Sequence, residues 1–149
     1  MKKYFEATID KIIPNPLTKV YETWINPDLL QHWFGPAGHI VIDASFDVTI
    51  NGKYTISMKA PEGKTYTLTG KFLEIIAYEK LVYTWQWDQI DLGNYEIIVT
   101  VKFLPENNTT RLVIHHKKFL QEDQCEGHKV GWSGSITRIT EYFKIHPYN

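Results

Sequence analysis

The residues from His39 to about Lys118 alternate between apolar and polar side chains almost throughout. A period of two is typical of β-strands that bury one face and expose the other. Turn-forming sequences interrupt the alternation at Asn51-Gly52, Pro61-Glu62-Gly63 and Pro105-Glu106-Asn107-Asn108. Asn51-Gly52 predicts a tight two-residue hairpin, because both residues tolerate positive φ. We therefore expect six strands in a meander, and residues 4–12, which also alternate, add a seventh.

Two other parts of the chain have helical periodicity. Leu17, Val20, Tyr21 and Trp24 form a helical stripe after Pro14-Asn15-Pro16, and a second short helix is expected between Asn26-Pro27 and Gly35-Pro36. Residues 122–144 place one stripe on a long C-terminal helix, made of Cys125, His128, Trp132, Ile136, Ile139 and Phe143. The pattern predicts an α+β fold in which this helix buries its stripe against the apolar face of the sheet.

The inward-facing positions of the predicted strands are rich in aromatic residues. In the first meander strand we expect Ile40, Ile42, Ala44 and Phe46 to face inward. The aromatic members of the inner face, opposite Trp132, are Phe46, Tyr54, Tyr66, Phe72, Tyr83, Trp85, Trp87, Tyr95 and Phe103. Buried phenol and indole groups need hydrogen-bond partners, and ligand pockets have this composition. The alternative is that the rings fill a solid core, and the pattern leaves both possibilities open.

A pocket at this position would take its ligand-binding residues from both sides of the sheet–helix contact. We expect them among Trp33, Phe46, Tyr54, Met58, Tyr66, Tyr83, Trp85, Trp87, Tyr95, His116, Trp132 and Ile136. The expected partner is a small apolar or aromatic ligand.

Charge and composition exclude several classes of function. The net charge is -1, and of the 16 basic residues only Arg111 and Arg138 are arginines, so no nucleic-acid partner is expected. No apolar run approaches the roughly 18 residues that span a bilayer, and the N-terminus does not resemble a signal peptide. We expect one domain over residues 1–149 and a cytoplasmic location.

The sequence offers little metal or nucleophile chemistry. Cys125 is the only cysteine, which excludes an internal disulfide and a cysteine-based zinc site. His115 and His116 are adjacent on a strand and point to opposite faces, so they cannot close on one metal. Ser133 lies in a helical pattern rather than at a strand-to-helix turn, which argues against a nucleophile elbow. We expect no metal and no cofactor.

His116 is the one weak catalytic candidate. It shares the inward parity of Leu112 and Ile114, where a neutral imidazole could contact a ligand or act as a base. The alternative, which we favour, is a histidine at the edge of the sheet, bonded to backbone or to a tyrosine hydroxyl.

Gly127, Gly131 and Gly134 lie on one side of the C-terminal helix, and each costs about 1 kcal/mol relative to alanine. Three such residues suggest that another backbone passes nearby, from this chain or from a partner subunit, so a homodimer is possible. The alternative is a frayed start of the helix.

Several motifs in a fixed order make the chain resemble a known family. They are Val20-Tyr21-Glu22-Thr23-Trp24, Asn26-Pro27-Asp28-Leu29-Leu30, Trp33-Phe34-Gly35-Pro36, Asp47 to Tyr54, Thr69-Gly70-Lys71, Glu79 to Trp85, Thr109-Thr110-Arg111-Leu112 and Gly127-His128-Lys129-Val130-Gly131-Trp132. With these residues the chain resembles the activator of heat-shock-protein-90 ATPase homologue family, in the START-like (SRPBCC) superfamily. The resemblance covers nearly the whole chain.

The resemblance implies a helix-grip fold, in which a curved seven-stranded antiparallel sheet surrounds the long C-terminal helix and leaves a cavity between them. It supplies no activity, since superfamily members bind lipids, hormones or polyketides and only some are enzymes. Where the family usually has Asp-x-Arg-x-Gly-Gly-x-Tyr, this chain has Thr49 in place of the arginine and Asn51 in place of the first glycine.

Three functions follow in order of preference. The first is a binding module for a small apolar ligand, without an assigned enzymatic activity. The second is an enzyme of cyclase, dehydratase or hydrolase type that uses the same cavity. The third is a stimulator of the heat-shock-protein-90 ATPase, ranked last because eukaryotic co-chaperones of this type carry an additional N-terminal domain for which 149 residues leave no room.

Overall fold

The computed structural model describes residues 4–89 and 96–146. The strands are β1 (Phe5–Ile13), β2 (Ile40–Phe46), β3 (Lys53–Lys59), β4 (Thr65–Ile76), β5 (Lys80–Trp87), β6 (Ile97–Glu106) and β7 (Thr109–Phe119). The helices are α1 (Leu17–Ile25), α2 (Pro27–Leu30) and α3 (Glu122–Ile145).

All seven strands of the described chain form one curved antiparallel sheet in the order β1-β7-β6-β5-β4-β3-β2. The meander from β2 to β7 is as predicted, and β1 pairs with β7, so that the first and last strands are neighbours. α3 packs against β1 and β7 and buries the predicted stripe, of which only His128 is partly exposed. The predicted α+β fold, with two short helices after the first strand, is confirmed.

The inward face of β2 differs from the prediction. Ile40 and Ile42 are 65% and 54% exposed, whereas Val41 between them is buried. The pairing of β2 with β3 shifts register between Val41 and Asp43. This irregularity reverses the parity of the strand, so Ala44 and Phe46 still pack against the core although the first two isoleucines do not.

The turn between β2 and β3 is longer than the two residues predicted. It spans residues 47–52, and within Asn51-Gly52 only Asn51 has positive φ, at 65°. Gly52 is needed for a different reason: a Cβ atom there would lie 2.1 Å from the backbone oxygen of Asp47. Close approach of the backbone, rather than turn type, explains this glycine.

The second short helix ends earlier than the sequence suggested. Asn26 begins it by accepting a hydrogen bond from the backbone N–H of Asp28 at 2.9 Å, and regular α-helix stops at Leu30. Trp33 follows in a turn and donates its indole N–H to the carbonyl of Thr23, 3.1 Å away. The segment therefore folds back on α1 and brings residues 34–36 to the edge of the sheet–helix contact.

No helix in residues 4–89 and 96–146 combines the length and hydropathy that crossing a membrane would require.

Candidate functional site

A pocket of about 420 Å³ opens between the sheet and the N-terminal half of α3. Its lining comes from the segment after α2, from strands β3 to β5 and from α3, mainly as aromatic and apolar side chains. The volume lies within the range of small-molecule sites. None of the lining residues in the described chain is Lys, Arg, Asp or Glu.

Five of the predicted ligand-binding residues line this pocket. They are Met58, Tyr66, Trp85, Trp87 and Trp132. Phe46, Tyr54 and Tyr83 instead line a second cavity of about 20 Å³, deeper in the core and too small for an organic ligand. Tyr95 lies outside the described residues.

The remaining three predicted residues line neither cavity. Trp33 is turned into the core by its hydrogen bond to Thr23, and Ile136 is buried among the apolar residues under α3. His116 is completely buried behind Trp132, because β7 carries it to the core side of that indole. Strand parity predicted that His116 points inward, and it is buried, but an inward side chain does not necessarily line the pocket.

Trp85, Trp87 and His128 meet at one point of the pocket wall. The indole Nε1 of Trp87 lies 2.9 Å from Nε2 of His128, and that of Trp85 lies 3.3 Å from the same atom. The other ring nitrogen, Nδ1, is 2.7 Å from the carbonyl oxygen of Gln124. A carbonyl only accepts, so Nδ1 carries the proton and Nε2 is the acceptor. Burial lowers the pKa of His128, partly opposed by the bond to Gln124.

A second indole–imidazole bond joins α3 to β7. Trp132 donates its N–H to Nδ1 of His116 at 3.0 Å, which places the proton of the neutral ring on Nε2. That Nε2 is buried and has no hydrogen-bond partner in the described chain. Burial, followed by the neighbouring His128 and His115, holds the pKa of His116 well below its usual range. His116 is thus a neutral core residue whose one acceptor atom is occupied.

Hydrogen bonds hold the segment after α2 against α3 at one end of the pocket. Ser135 donates to the carbonyl of Gly35 at 3.2 Å, and Arg138 donates to the carbonyl of Trp33 at 3.0 Å and to the Ser135 hydroxyl at 3.3 Å. Phe34, Gly35 and the following proline line the pocket directly. Arg138 therefore fixes a wall of the pocket without belonging to it.

The helix glycines lie next to open space. A Cβ atom on Gly127 or Gly131 would meet nothing within 4 Å, and both residues line the pocket; one on Gly134 would meet only Arg138, at 3.5 Å. No backbone of the described residues passes close to the first two, and α3 is already regular at Gly127. Their small size leaves the pocket room along α3, and a partner subunit at this face stays a prediction.

The other candidates of the sequence have no special surroundings. Ser133 is exposed in the middle of α3, and Cys125 is buried on the apolar stripe, where burial raises the pKa of its thiol. Within the described ranges, no group of three or more His, Cys, Asp or Glu side chains is placed to hold a metal ion.

His128 is the main pocket residue that the sequence analysis did not name as a site. It was placed on the α3 stripe four residues before Trp132, and that spacing was the available signal. Phe34, Gly35 and Pro36 were named as part of a family motif, and Gly35-Pro36 as a helix end, but none of the three was predicted as a site residue. What the sequence could not supply is the direction in which that segment folds back.

Comparison with known proteins gives a consistent family assignment. The profile of the family described as Activator of Hsp90 ATPase homolog 1-like protein matches residues 14–144. Among curated proteins, nothing matches the sequence significantly.

Solved structures share the fold at low sequence identity. A protein from Nitrosomonas europaea superposes with a TM-score of 0.84 at 20% identity, covering 97% of each chain. A protein from Chromobacterium violaceum gives 0.82 at 22% identity, covering 92% of this chain and 95% of its own. An AHSA1 protein from Silicibacter pomeroyi gives 0.80 at 20% identity, covering 95% and 99%. At these identities the likeness concerns the fold.

Proposed function

The chain belongs to the family of Activator of Hsp90 ATPase homolog 1-like proteins, and we propose that it acts as a binding module for a small, flat, apolar or aromatic ligand. The observation that carries the proposal is the pocket of about 420 Å³ between the sheet and α3, walled by Trp85, Trp87 and Trp132. Aromatic walls favour flat ligands through stacking and edge contacts.

The hydrogen bonds that His128 already makes within the protein favour ligand binding over catalysis. General acid–base catalysis needs a group within hydrogen-bond reach of the reacting atoms and free to exchange a proton. Two histidines of the described chain line the pocket: His128 has one nitrogen on the Gln124 carbonyl and the other on two indoles, and His39 has its Nδ1 3.3 Å from the Ala37 carbonyl oxygen. His116 lies outside the lining. The pocket walls are mainly aromatic and apolar, which suits contact with the apolar surface of a ligand.

The proposal is tested with an uncharged apolar fluorophore, N-phenyl-1-naphthylamine, titrated into the protein. We expect saturable binding of micromolar affinity and a changed affinity in Trp132→Ala. The sharper variant is Gly131→Leu, whose side chain would extend into open space at the pocket and fill it, whereas Gly131→Ala adds only a methyl group.

Both substitutions at Gly131 raise helix propensity, so neither should unfold the protein. We expect Gly131→Leu to abolish probe binding and Gly131→Ala to retain it within about threefold, or about 0.7 kcal/mol. Equal binding by the wild type and both variants would place the probe elsewhere and overturn the proposal.

A further inference from the structure

Two buried or half-buried donors share one acceptor at the wall of the pocket. The neutral imidazole of His128 has a single lone pair at Nε2, because its other nitrogen carries the proton donated to Gln124. The indole N–H groups of Trp85 and Trp87 both approach this lone pair. One lone pair makes one good hydrogen bond, so the two donors compete for it.

The geometry shows which donor is less well paired. The distance from Trp87 to His128 Nε2, 2.9 Å, is that of a normal N–H hydrogen bond, whereas the 3.3 Å from Trp85 lies beyond the usual range. Trp85 is only 5% exposed, so water has little access to make up the difference. A buried donor without a full partner is costly, and an acceptor that satisfies it is favoured.

Resting on the proposed function, we infer that the ligand of this pocket carries a neutral hydrogen-bond acceptor, an oxygen of the carbonyl type, which accepts from the indole N–H of Trp85 while Trp87 keeps its bond to His128. The ligand oxygen supplies Trp85 with an acceptor that the single lone pair of His128 Nε2 cannot provide to both indoles. The ligand oxygen lies at this end of the pocket, and the apolar body of the ligand lies along Trp132 and Met58.

The absence of Lys and Arg from the described pocket lining favours a neutral acceptor over a carboxylate. Among the lining histidines, burial lowers the pKa of His128, whose Nε2 accepts from the indoles of Trp85 and Trp87. A carboxylate would lose its hydration without gaining a counter-charge, which is expensive in an apolar site. A carbonyl has far less hydration to lose and gains the same donor.

Three probes of one size test this inference: 2-acetylnaphthalene, 2-ethylnaphthalene and 2-naphthoate. The ketone carries a neutral acceptor, the ethyl compound carries none, and the naphthoate carries a charged one. The affinity of each is measured by displacement of N-phenyl-1-naphthylamine. We expect 2-acetylnaphthalene to bind about tenfold more tightly than 2-ethylnaphthalene, the value of one hydrogen bond to a poorly paired donor. We expect 2-naphthoate to bind more weakly than the ketone.

Variants with matched chemistry then locate the donor. Trp87→Phe leaves the Nε2 lone pair to Trp85 alone, so the ketone preference should fall to within about twofold. Trp132→Phe is the matched control: the same change on another lining residue removes an N–H that is committed to His116, and the preference should persist. His128→Leu removes the acceptor that competes with the ligand for the indole N–H groups, so the preference for the ketone should rise. A variant that only altered the shape of the pocket would not raise it.

The outcomes distinguish the two proposals. If ketone and ethyl probes bind equally to the wild type, the inference is overturned while the binding function stands. If no probe binds, the binding function fails and the inference with it. If Trp87→Phe is too unstable to measure, a ketone preference that does not rise in His128→Leu overturns the inference by itself.

Discussion

Trp132 on α3 donates its indole N–H to Nδ1 of His116 on β7, across a distance of 3.0 Å. Both side chains are buried, and the bond lies directly behind the pocket wall that Trp132 forms. It ties the position of the long helix to the sheet, so the shape of the pocket depends on a hydrogen bond whose acceptor, His116, does not line the pocket.

The Trp132–His116 pair should behave as a coupled unit in stability measurements. His116→Leu leaves the indole N–H buried without an acceptor, which should cost about 1–3 kcal/mol of unfolding free energy. Trp132→Phe in that background removes the orphaned donor, so the double variant should lose less than the sum of the single losses. Urea unfolding of all four proteins measures the coupling, and strictly additive losses would contradict it.

Stability should decrease as the pH falls below neutrality. The native fold holds the pKa of His116 below its usual value, so the unfolded chain binds more protons once the pH falls through about 6.5. From pH 7.5 to pH 5.5 a histidine kept neutral in the fold costs about 1.4 kcal/mol of stability. The lowered pKa of His128 acts in the same direction.

Variants assign this pH dependence to the buried rings. His116→Leu should flatten the dependence of unfolding free energy on pH. His128→Leu should remove a further part of it, because burial lowers the pKa of that ring as well. A wild-type stability that is level between pH 7.5 and 5.5 would contradict this account.

Two glycine-to-alanine substitutions should have opposite effects on stability. A Cβ atom on Gly70 would lie 2.1 Å from the backbone oxygen of Thr84 and 2.5 Å from the Tyr54 ring, which packs over the strand and donates its hydroxyl to the same oxygen. Gly70→Ala should therefore lower the free energy of unfolding by about 1–3 kcal/mol, as overpacking of a core does.

Gly127→Ala is the counterpart in α3. The added methyl group meets no atom of the described residues within 4 Å, and alanine favours the helix by up to about 1 kcal/mol. Thermal unfolding should show a lower midpoint for the Gly70 variant and an equal or higher midpoint for the Gly127 variant. The reverse order of the two midpoints would contradict the close contact described at Gly70 or the open space described at Gly127.

The fold could be predicted because its strands and helices follow from local periodicity in the sequence. Alternation from His39 to Lys118 and the stripe from Cys125 to Phe143 each report which side of an element is buried. The details that were missed depend on non-local geometry. The bulge after Val41 becomes visible only when β2 is paired with β3, and the need for glycine at position 52 arises from contact with Asp47.

The site was less accessible to sequence reasoning for a related reason. Parity separates inside from outside, but it does not divide the inside into core and pocket. Tyr83 and Trp85 share one parity on β5, yet Tyr83 accepts a hydrogen bond from Trp24 in the core while Trp85 lines the pocket. The boundary between core and pocket passes through Trp85, which together with Phe34 borders both the small core cavity and the pocket.

The central claim, that an apolar ligand binds in the pocket between the sheet and α3, is tested most directly by the indole N–H signals in a proton–nitrogen correlation spectrum. The chain has five tryptophans: Trp85, Trp87 and Trp132 line the pocket, whereas Trp24 and Trp33 donate to core acceptors. Titration with 2-acetylnaphthalene should move the three pocket signals most and that of Trp33 least. Saturating ligand that leaves the pocket signals in place, or moves those of Trp33 and Trp24 instead, would contradict the claim.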